Sequence, residues 1–315
     1  MQDKPLNIYV AGHKGLVGSA LVRRIENIGK HTWIGATRDE LDLCDRNAVF
    51  DFIGQHRPDG VIIAAAKVGG IVANRDYPVE FLSENVQVQT NLMDAAHKFD
   101  VENLVFLGSS CIYPKFAPQP INEDSLLTGP LEETNEAYAI AKIAGVKLVQ
   151  AYRREFGRKW TSAMPTNLYG PGDNFDPQSS HVLPALLRKF HEASLSGAES
   201  VTLWGSGSPR REFLHVDDLA KAVLFLLQGY DGATAINVGT GVDLEISELA
   251  GLIAQVTGYD GQIDWDSSKP DGTPQKLLDV GRINNLGWTS EITLNQGLRT
   301  TYDWFVNALT AGNLR

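Results

Sequence analysis

Apolar residues in the first half of the chain follow two alternating spacings. Short β-branched or continuous apolar runs at Leu6–Ala11, Thr32–Ala36, Gly60–Ala66, Asn103–Leu107 and Thr161–Pro165 read as strands. Between them, Leu16–Ile28, Arg46–His56, Val79–Lys98 and Ala137–Phe156 carry apolar positions at helical spacing. Strands that alternate with helices predict an α/β chain with a parallel sheet covered on both faces. The run VIIAAA supports this, because a strand buried on both sides has no polar face to alternate with.

After Gly170 the rhythm loosens. PGDNFDPQ and WGSGSPRREF are dense in Gly, Pro, Asn and Asp and read as loops. HVDDLAKAVLFLL followed by AINVG reads as a further helix and strand that return to the main sheet. Helical stretches at Ile246–Gly258 and near Leu294–Ala308 are joined by KPDGTPQKLLD. The expected organisation is a nucleotide-binding domain over residues 1–170, to which 213–240 return. Residues 171–212 and 241–315 form a smaller, partly interleaved C-terminal domain. No repeat of fixed period is visible.

Composition narrows the function classes. The 315 residues are 43% hydrophobic and 21% charged, an ordinary globular mixture. Lys plus Arg number 28 against 38 Asp plus Glu, a net charge of −10. That balance argues against a general nucleic-acid or membrane-surface binder, since such partners are held by clustered cations. Only two cysteines, Cys44 and Cys111, are present, so no disulfide framework exists and a reducing compartment is expected. The start MQDKPLNIYVAG has neither the basic head nor the apolar stretch of a signal peptide, and a soluble cytoplasmic protein is expected.

Gly12, Gly15 and Gly18 form GHKGLVG directly after the first strand and open the following helix. Glycines at this spacing permit a tight turn, close backbone approach to a pyrophosphate, and close packing of helix on strand. The helix N-terminus then offers free N–H groups to the phosphates. The second strand separates the two nicotinamide cofactors. An acidic residue at its end grips the ribose 2′-hydroxyl of NAD, whereas Arg accommodates a 2′-phosphate. HTWIGAT runs into Arg38, with Lys14 available from the glycine turn, which favours NADP; Asp39, next in the chain, reads either the other way, toward NAD, or as the cap of the following segment.

Tyr138 and Lys142 are one helical turn apart, and Ser109 stands at the end of the strand NLVFLGSS, at the carboxyl edge of the sheet. A phenol with a pKa near ~10 is a poor acid–base group at neutral pH. A cation one turn away is expected to lower it, while the Ser hydroxyl holds a carbonyl oxygen undergoing reduction.

GHKGLVG, LGSS and YAIAK together resemble the extended short-chain dehydrogenase/reductase family, whose members work on nucleotide sugars. The resemblance implies a Rossmann-type doubly wound parallel sheet and a smaller substrate domain. AAAKVGGIVAN, FLGSSCIYPK, MPTNLYGPGDNF, WGSGSPRREFLHVDDLA and KPDGTPQKLLD extend it from about Ile8 to Trp304. They are similar to the members that epimerise a GDP-linked 4-keto-6-deoxy sugar at carbons 3 and 5 and then reduce its ketone with NADPH. By that resemblance, Tyr138, Lys142 and Ser109 serve the reduction. NADPH is implied on Gly12, His13, Lys14, Gly15, Leu16, Val17 and Gly18, and on Arg38. Further along it is implied on Leu107, Gly108, Ser109 and Ser110, on Lys142, on Pro165, Thr166, Asn167 and Leu168, and on His181. The sugar nucleotide is implied near Lys189, Trp204, Arg211 and Asp271. Family members carry Arg where this chain has Lys189, so a bidentate grip on phosphate is lost there. A homodimer is implied by the resemblance alone.

Epimerisation at carbons 3 and 5 needs a base and an acid on different sides of the sugar ring. Cys111 lies two residues beyond Ser109, but an ordinary thiol near ~8.5 needs nearby positive charge to act as a base. His181, in SSHVLP, titrates in the useful range. Read alone, the one is more often a small core residue and the other more often a helix-cap or surface residue; the resemblance assigns both to the epimerase acid–base pair, and which is base and which is acid does not follow from the sequence. Cys44, in LDLCDR, reads as structural. The histidines show no metal-ligand spacing, and no metal is expected. The alternative within the family is a nucleotide-sugar 4-epimerase or 4,6-dehydratase. A 4,6-dehydratase places an Asp-Glu pair where this chain has Ser110, Cys111 and Ile112, and a 4-epimerase has no use for a Cys and His pair.

Overall fold

The computed structural model describes residues 4–177, 179–269 and 271–314. The first half runs β1 (Asn7–Ala11), α1 (Leu16–Ile28), β2 (Thr32–Ile34), α2 (Arg46–His56), β3 (Gly60–Ile63), α3 (Ile71–Asp76), α4 (Pro78–Lys98), β4 (Asn103–Leu107), α5 (Glu136–Phe156) and β5 (Thr161–Pro165). The second half runs β6 (Asn167–Tyr169), α6 (Val182–Ser196), β7 (Ser200–Trp204), β8 (Arg210–His215), α7 (Val216–Gly229), β9 (Ile236–Val238), β10 (Asp243–Glu245), α8 (Ile246–Thr257), β11 (Gln262–Asp266), β12 (Gln275–Lys276), α9 (Gly281–Asn285) and α10 (Leu294–Thr310).

Six parallel strands form the central sheet in the order β2-β1-β3-β4-β5-β9. α1 and α7 pack together on one face, and α2, α4 and α5 on the other. This is the doubly wound Rossmann-type sheet. The chain turns outward from β1 to β2 and comes back to β3, so a crevice opens at the carboxyl ends of β1 and β3, where ligands of such sheets bind.

Two strands stop early. β2 ends at Ile34 and β3 at Ile63, where the apolar runs suggest Ala36 and Ala66. In both, the residues beyond the ladder come up against the glycine turn, Gly35 beside His13 and Ala65 beside Gly12. Arg38 therefore does not end a strand: it sits in a turn four residues beyond β2. WGSGSPRREF is likewise not all loop, because its last part is β8. β8 is the centre of a small sheet, antiparallel to β10 and parallel to β12 and β6.

Apolar burial forms two clusters. The larger surrounds the six-stranded sheet, with Ile8, Val10, Ile62, Val105, Phe106 and Ile236 fully buried. The second gathers α6, α8 and α10 around Leu187, Phe190, Leu249, Ile253, Leu298 and Phe305. Local rules close the elements. Asp45 caps α2 by accepting from the Asn47 and Ala48 amides, and Thr293 with Gln296 forms a capping box on α10. Among the described residues no helix is long and apolar enough to cross a membrane.

One close approach positions the site. A Cβ on Gly145 of α5 would stand 2.4 Å from Phe106 of β4. The missing side chain lets α5 lie against the end of β4, and Gln89 of α4 ties it there by donating to the Ala141 carbonyl at 2.7 Å. Tyr138 and Lys142 are thereby brought over the carboxyl end of β4.

Candidate active site

The glycine turn leaves β1 through Gly12 at φ +85°, where a Cβ would meet the Ala65 amide nitrogen at 2.8 Å. Gly18 lies still closer, since its Cβ would fall 2.0 Å from the Gly12 carbonyl oxygen. The Gly15 amide closes the turn on that carbonyl at 2.9 Å. α1 begins at Leu16 with no capping side chain and no acidic residue in its first turn, so Val17 and its neighbours present an uncapped N-terminus. His13 lies beside this turn with its Nδ1 buried and unpartnered. A backbone cradle that a Cβ would fill, facing an uncapped helix, fits a dinucleotide pyrophosphate.

Beyond β2 the Arg38 side chain is largely exposed, 3.9 Å from Glu84. On the other side of the crevice, Leu107 ends β4, and a Cβ on Gly108, the next residue, would press into Met164. Pro165 ends β5, and Thr166 and Asn167 both donate to the Glu212 carbonyl, at 3.3 and 2.8 Å. Leu168 continues into β6.

Ser109 caps a short 3-10 turn over Ser110–Ile112, its Oγ accepting from the Cys111 amide at 3.2 Å. The Tyr138 phenol faces the same hydroxyl. Burial raises the Tyr138 pKa well above its ordinary value, and the negative charge of Cys111 adds to that. The expectation that Lys142 lowers this phenol does not hold here. The Lys142 ammonium donates to the Leu107 carbonyl at 2.8 Å, and burial without a counter-charge brings its own pKa down to about 7. Tyr138 is thus a neutral phenol, a proton donor rather than a poised phenolate.

Cys111 is half-buried on a cavity of about 40 Å³. Its sulfur is 3.5 Å from the Lys276 ammonium. Burial pushes this thiol up, but the Lys276 charge and the Ser109 hydroxyl outweigh it and leave it below the ordinary cysteine value. Cys44 goes the other way: burial, Asp42 and Glu84 raise it, and the Arg38 charge offsets them only in part. His181 stands at the N-cap of α6, open to solvent on one side and crowded on the other. That crowding and the Lys276 charge hold its imidazole below the ordinary histidine value.

The residues assigned to the sugar nucleotide surround β7 and β8. Trp204 ends β7, 73% exposed, with the Lys269 ammonium 5.7 Å from its ring centre. Arg211 lies in β8, its guanidinium half-buried and donating to the Arg210 carbonyl. Lys189 reaches from α6 to the Thr202 carbonyl. Asp271 accepts from the Ser206 amide at 2.6 Å and its hydroxyl at 2.9 Å, which pins the loop after β7.

Residues 8–239 match the model of the NAD dependent epimerase/dehydratase family. The chain belongs to that family. It is similar to GDP-L-fucose synthase 1 of Arabidopsis thaliana, 56% identical over 306 residues that span 97% of this chain and 95% of that protein. The GDP-L-fucose synthase of Escherichia coli strain K12 is 55% identical over 308 residues, 95% of this chain and 96% of the relative. Among solved structures, the GDP-L-fucose synthetase of Naegleria fowleri bound to NADP superposes with a TM-score of 0.90 at 29% identity, covering 99% of this chain and 97% of that one.

Two residues of this epimerase/dehydratase chain escaped the sequence reading. Lys276 lies within KPDGTPQKLLD, a segment read as a connection and as part of the family resemblance through Asp271, and nothing in its spacing says that Lys276 returns to Cys111. Glu212 reads as one more charge in RREF. It is fully buried, and its carboxylate accepts from the Thr240, Gly241 and Leu278 amides at 2.6, 2.7 and 3.1 Å. Between Arg211 and Phe213 nothing in the sequence sets it apart from a solvated charge.

Proposed function

We propose that the chain converts GDP-4-keto-6-deoxy-D-mannose to GDP-L-fucose, by epimerisation at carbons 3 and 5 followed by NADPH-dependent reduction of the 4-ketone. The observation that carries this reading is the pairing of a reductase constellation with a cation-supported cysteine two residues further along one turn. Ser109, Tyr138 and Lys142 suffice for reduction. A half-buried thiol held against an ammonium adds a proton-transfer group that hydride chemistry alone does not use.

The cradle from Gly12 to Gly18, with Arg38 toward the 2′-phosphate, would hold the cofactor, flanked by Leu107 to Ser110 and Pro165 to Leu168. When bound, NADPH supplies the hydride. Lys142 sits buried beside this path, and His181 borders it from α6. Trp204 and Arg211 suit the base and diphosphate of a nucleotide sugar, with Lys189 and Asp271 at the margin, where their heads are already engaged by the protein.

In the proton steps the carbon-4 ketone acidifies the hydrogens at carbons 3 and 5. Cys111 and His181 then remove a proton and return one on the opposite face. Ser109 and Tyr138 hold the carbonyl oxygen during enolate formation, and Tyr138 donates its proton to that oxygen on reduction.

The reading extends to a cytoplasmic homodimer. Two free cysteines suit a reducing compartment. Val79 and Leu82 on α4 and Ile140 on the adjoining α5 are exposed, and offer apolar surface for a second copy.

The test is incubation with NADPH and GDP-4-keto-6-deoxy-D-mannose, following absorbance loss and identifying the sugar. GDP-L-fucose is the expected product. A GDP-sugar reduced at carbon 4 with carbons 3 and 5 uninverted would refute the epimerase half.

A further inference from the structure

We propose that Lys276 is the positioning residue of the proton-transfer steps: its ammonium, donating to Cys111 Sγ, holds that sulfur as a thiolate ready to exchange protons with substrate. The inference rests on the proposed function for the meaning of those steps, while its own observable is the state of the sulfur.

The geometry is built rather than incidental. Lys276 lies in β12, whose register pairs it with Arg211 of β8. The backbone around it is tied down on both sides. The Leu277 amide donates to the Gln119 side chain at 2.8 Å, the Leu278 amide to the buried Glu212 carboxylate at 3.1 Å, and the Ile121 amide to the Leu277 carbonyl at 2.7 Å. These bonds fix where the lysine stem leaves the chain, and the stem ends on the sulfur at 3.5 Å.

The ammonium is also reserved for this sulfur. Among the described residues, no carboxylate pairs with Lys276. Among the described residues lining the same cavity the acidic one is Glu132, which is taken by Lys115 at 3.0 Å. A cation without a carboxylate partner, beside a half-buried thiol, favours ionisation of that thiol.

The other titratable groups facing the pair agree in sign. From α5, the Tyr138 phenol is raised by burial and then by negative charge on Cys111. From α6, the His181 imidazole is lowered by crowding and then by Lys276. Ser109 adds a hydrogen bond that favours the charged sulfur. One ammonium therefore biases both members of the acid–base pair, toward an anionic sulfur and a neutral ring.

The competing role for Lys276 is direct capture of the substrate diphosphate, which its place beside Arg211 would also serve. The pH dependence of iodoacetamide alkylation at Cys111 separates the two without any substrate. It is measured on the full-length, NADP-loaded protein carrying Cys44→Ser, so that one thiol is read. The parent should alkylate with a midpoint below that of a free cysteine, near ~8.5. A midpoint at or above that value overturns the proposal with no variant needed. Lys276→Met should move the midpoint up by about one unit or more and slow alkylation at pH 7 by roughly tenfold, and Lys276→Arg should restore most of it. An unchanged profile in Lys276→Met, joined to a raised KM for the GDP-sugar, assigns the lysine to substrate capture and overturns the thiolate role. If the parent fails to turn over GDP-4-keto-6-deoxy-D-mannose at all, it is the proposed function that falls, and the alkylation profile still decides what Lys276 does.

Discussion

Lys142 donates a 2.8 Å hydrogen bond to the Leu107 carbonyl oxygen, which leaves its ammonium 5.8 Å from the centre of the Tyr138 ring. The cation is tied to the end of β4 rather than to the phenol, in surroundings with no counter-charge. Burial brings its pKa down to about 7, against about 10.4 in an unfolded chain. Between those values the unfolded state holds one proton more than the folded state, so stability rises with pH across that window. Without cofactor, Lys142→Met should melt higher than the parent at pH 7. That difference should shrink as pH approaches 10, and a gap that stays constant from pH 7 to pH 10 would show that the lysine is not buried as a costly charge.

The Arg38 side chain is exposed in the turn after β2, and the proposed function assigns it to the 2′-phosphate of NADPH. Arg38→Ala should weaken NADPH by about 1–3 kcal/mol, the worth of a charge-assisted contact, and leave NADH nearly unaffected. Fluorescence titration with both cofactors checks this. Equal weakening would mean that Arg38 does not read the phosphate.

Glu212 joins three segments that the chain brings together only on folding. Its carboxylate holds the amides of Thr240 and Gly241 after β9 and of Leu278 after β12. Glu212→Ala orphans the buried Leu278 amide and the part-buried Thr240 and Gly241 amides, and should cost about 3–5 kcal/mol in urea unfolding, more than a surface charge could. Because Leu278 is two residues from Lys276, the same variant should also slow Cys111 alkylation at neutral pH. Wild-type stability in Glu212→Ala would show that water satisfies those amides without loss.

The parts that were legible in the sequence obey local rules. GHKGLVG between a strand and a helix announces its own geometry, since only glycine tolerates a Cβ position 2.0 Å from a carbonyl oxygen, as at Gly18. The period of Leu16–Ile28 and of Arg46–His56 marks those helices to the residue, because burial on one face writes itself into spacing. The ends of β2 and β3 were overrun because residues packed against the glycine turn remain apolar after leaving the ladder. β8 and β12 were hidden because their pairing is long-range and their lengths are too short for a period. The need for a cation beside Cys111 was visible in the chemistry of a thiol, but Lys276 lies 165 positions away and only the fold closes that distance. The Lys142 effect on Tyr138 was misjudged because spacing on a helix gives proximity, not the carbonyl that captures the ammonium.

One pocket running two chemistries makes a separable prediction. Proton exchange at carbons 3 and 5 precedes any hydride transfer, because the enolate takes its new proton from a group in contact with solvent. Exchange is therefore measurable in deuterated water with GDP-4-keto-6-deoxy-D-mannose and oxidised cofactor, by the mass of the recovered sugar. Tyr138→Phe removes the proton donor to the ketone oxygen and little volume, so NADPH binding should persist while reduction falls by roughly 10²–10⁴-fold. Exchange should continue in that variant, since Cys111, His181 and the Ser109 hydroxyl remain. Cys111→Ser should do the reverse. Serine matches the size of the thiol, so fold and cofactor binding persist, but its hydroxyl does not ionise beside Lys276 at neutral pH, and exchange should fall by a factor of 10² or more. His181→Asn should lose exchange at one carbon or at both, according to which proton it handles. Comparing the first two variants in the same assay is decisive: if Cys111→Ser exchanges both hydrogens at the parent rate, the sulfur beside Lys276 takes no part in epimerisation.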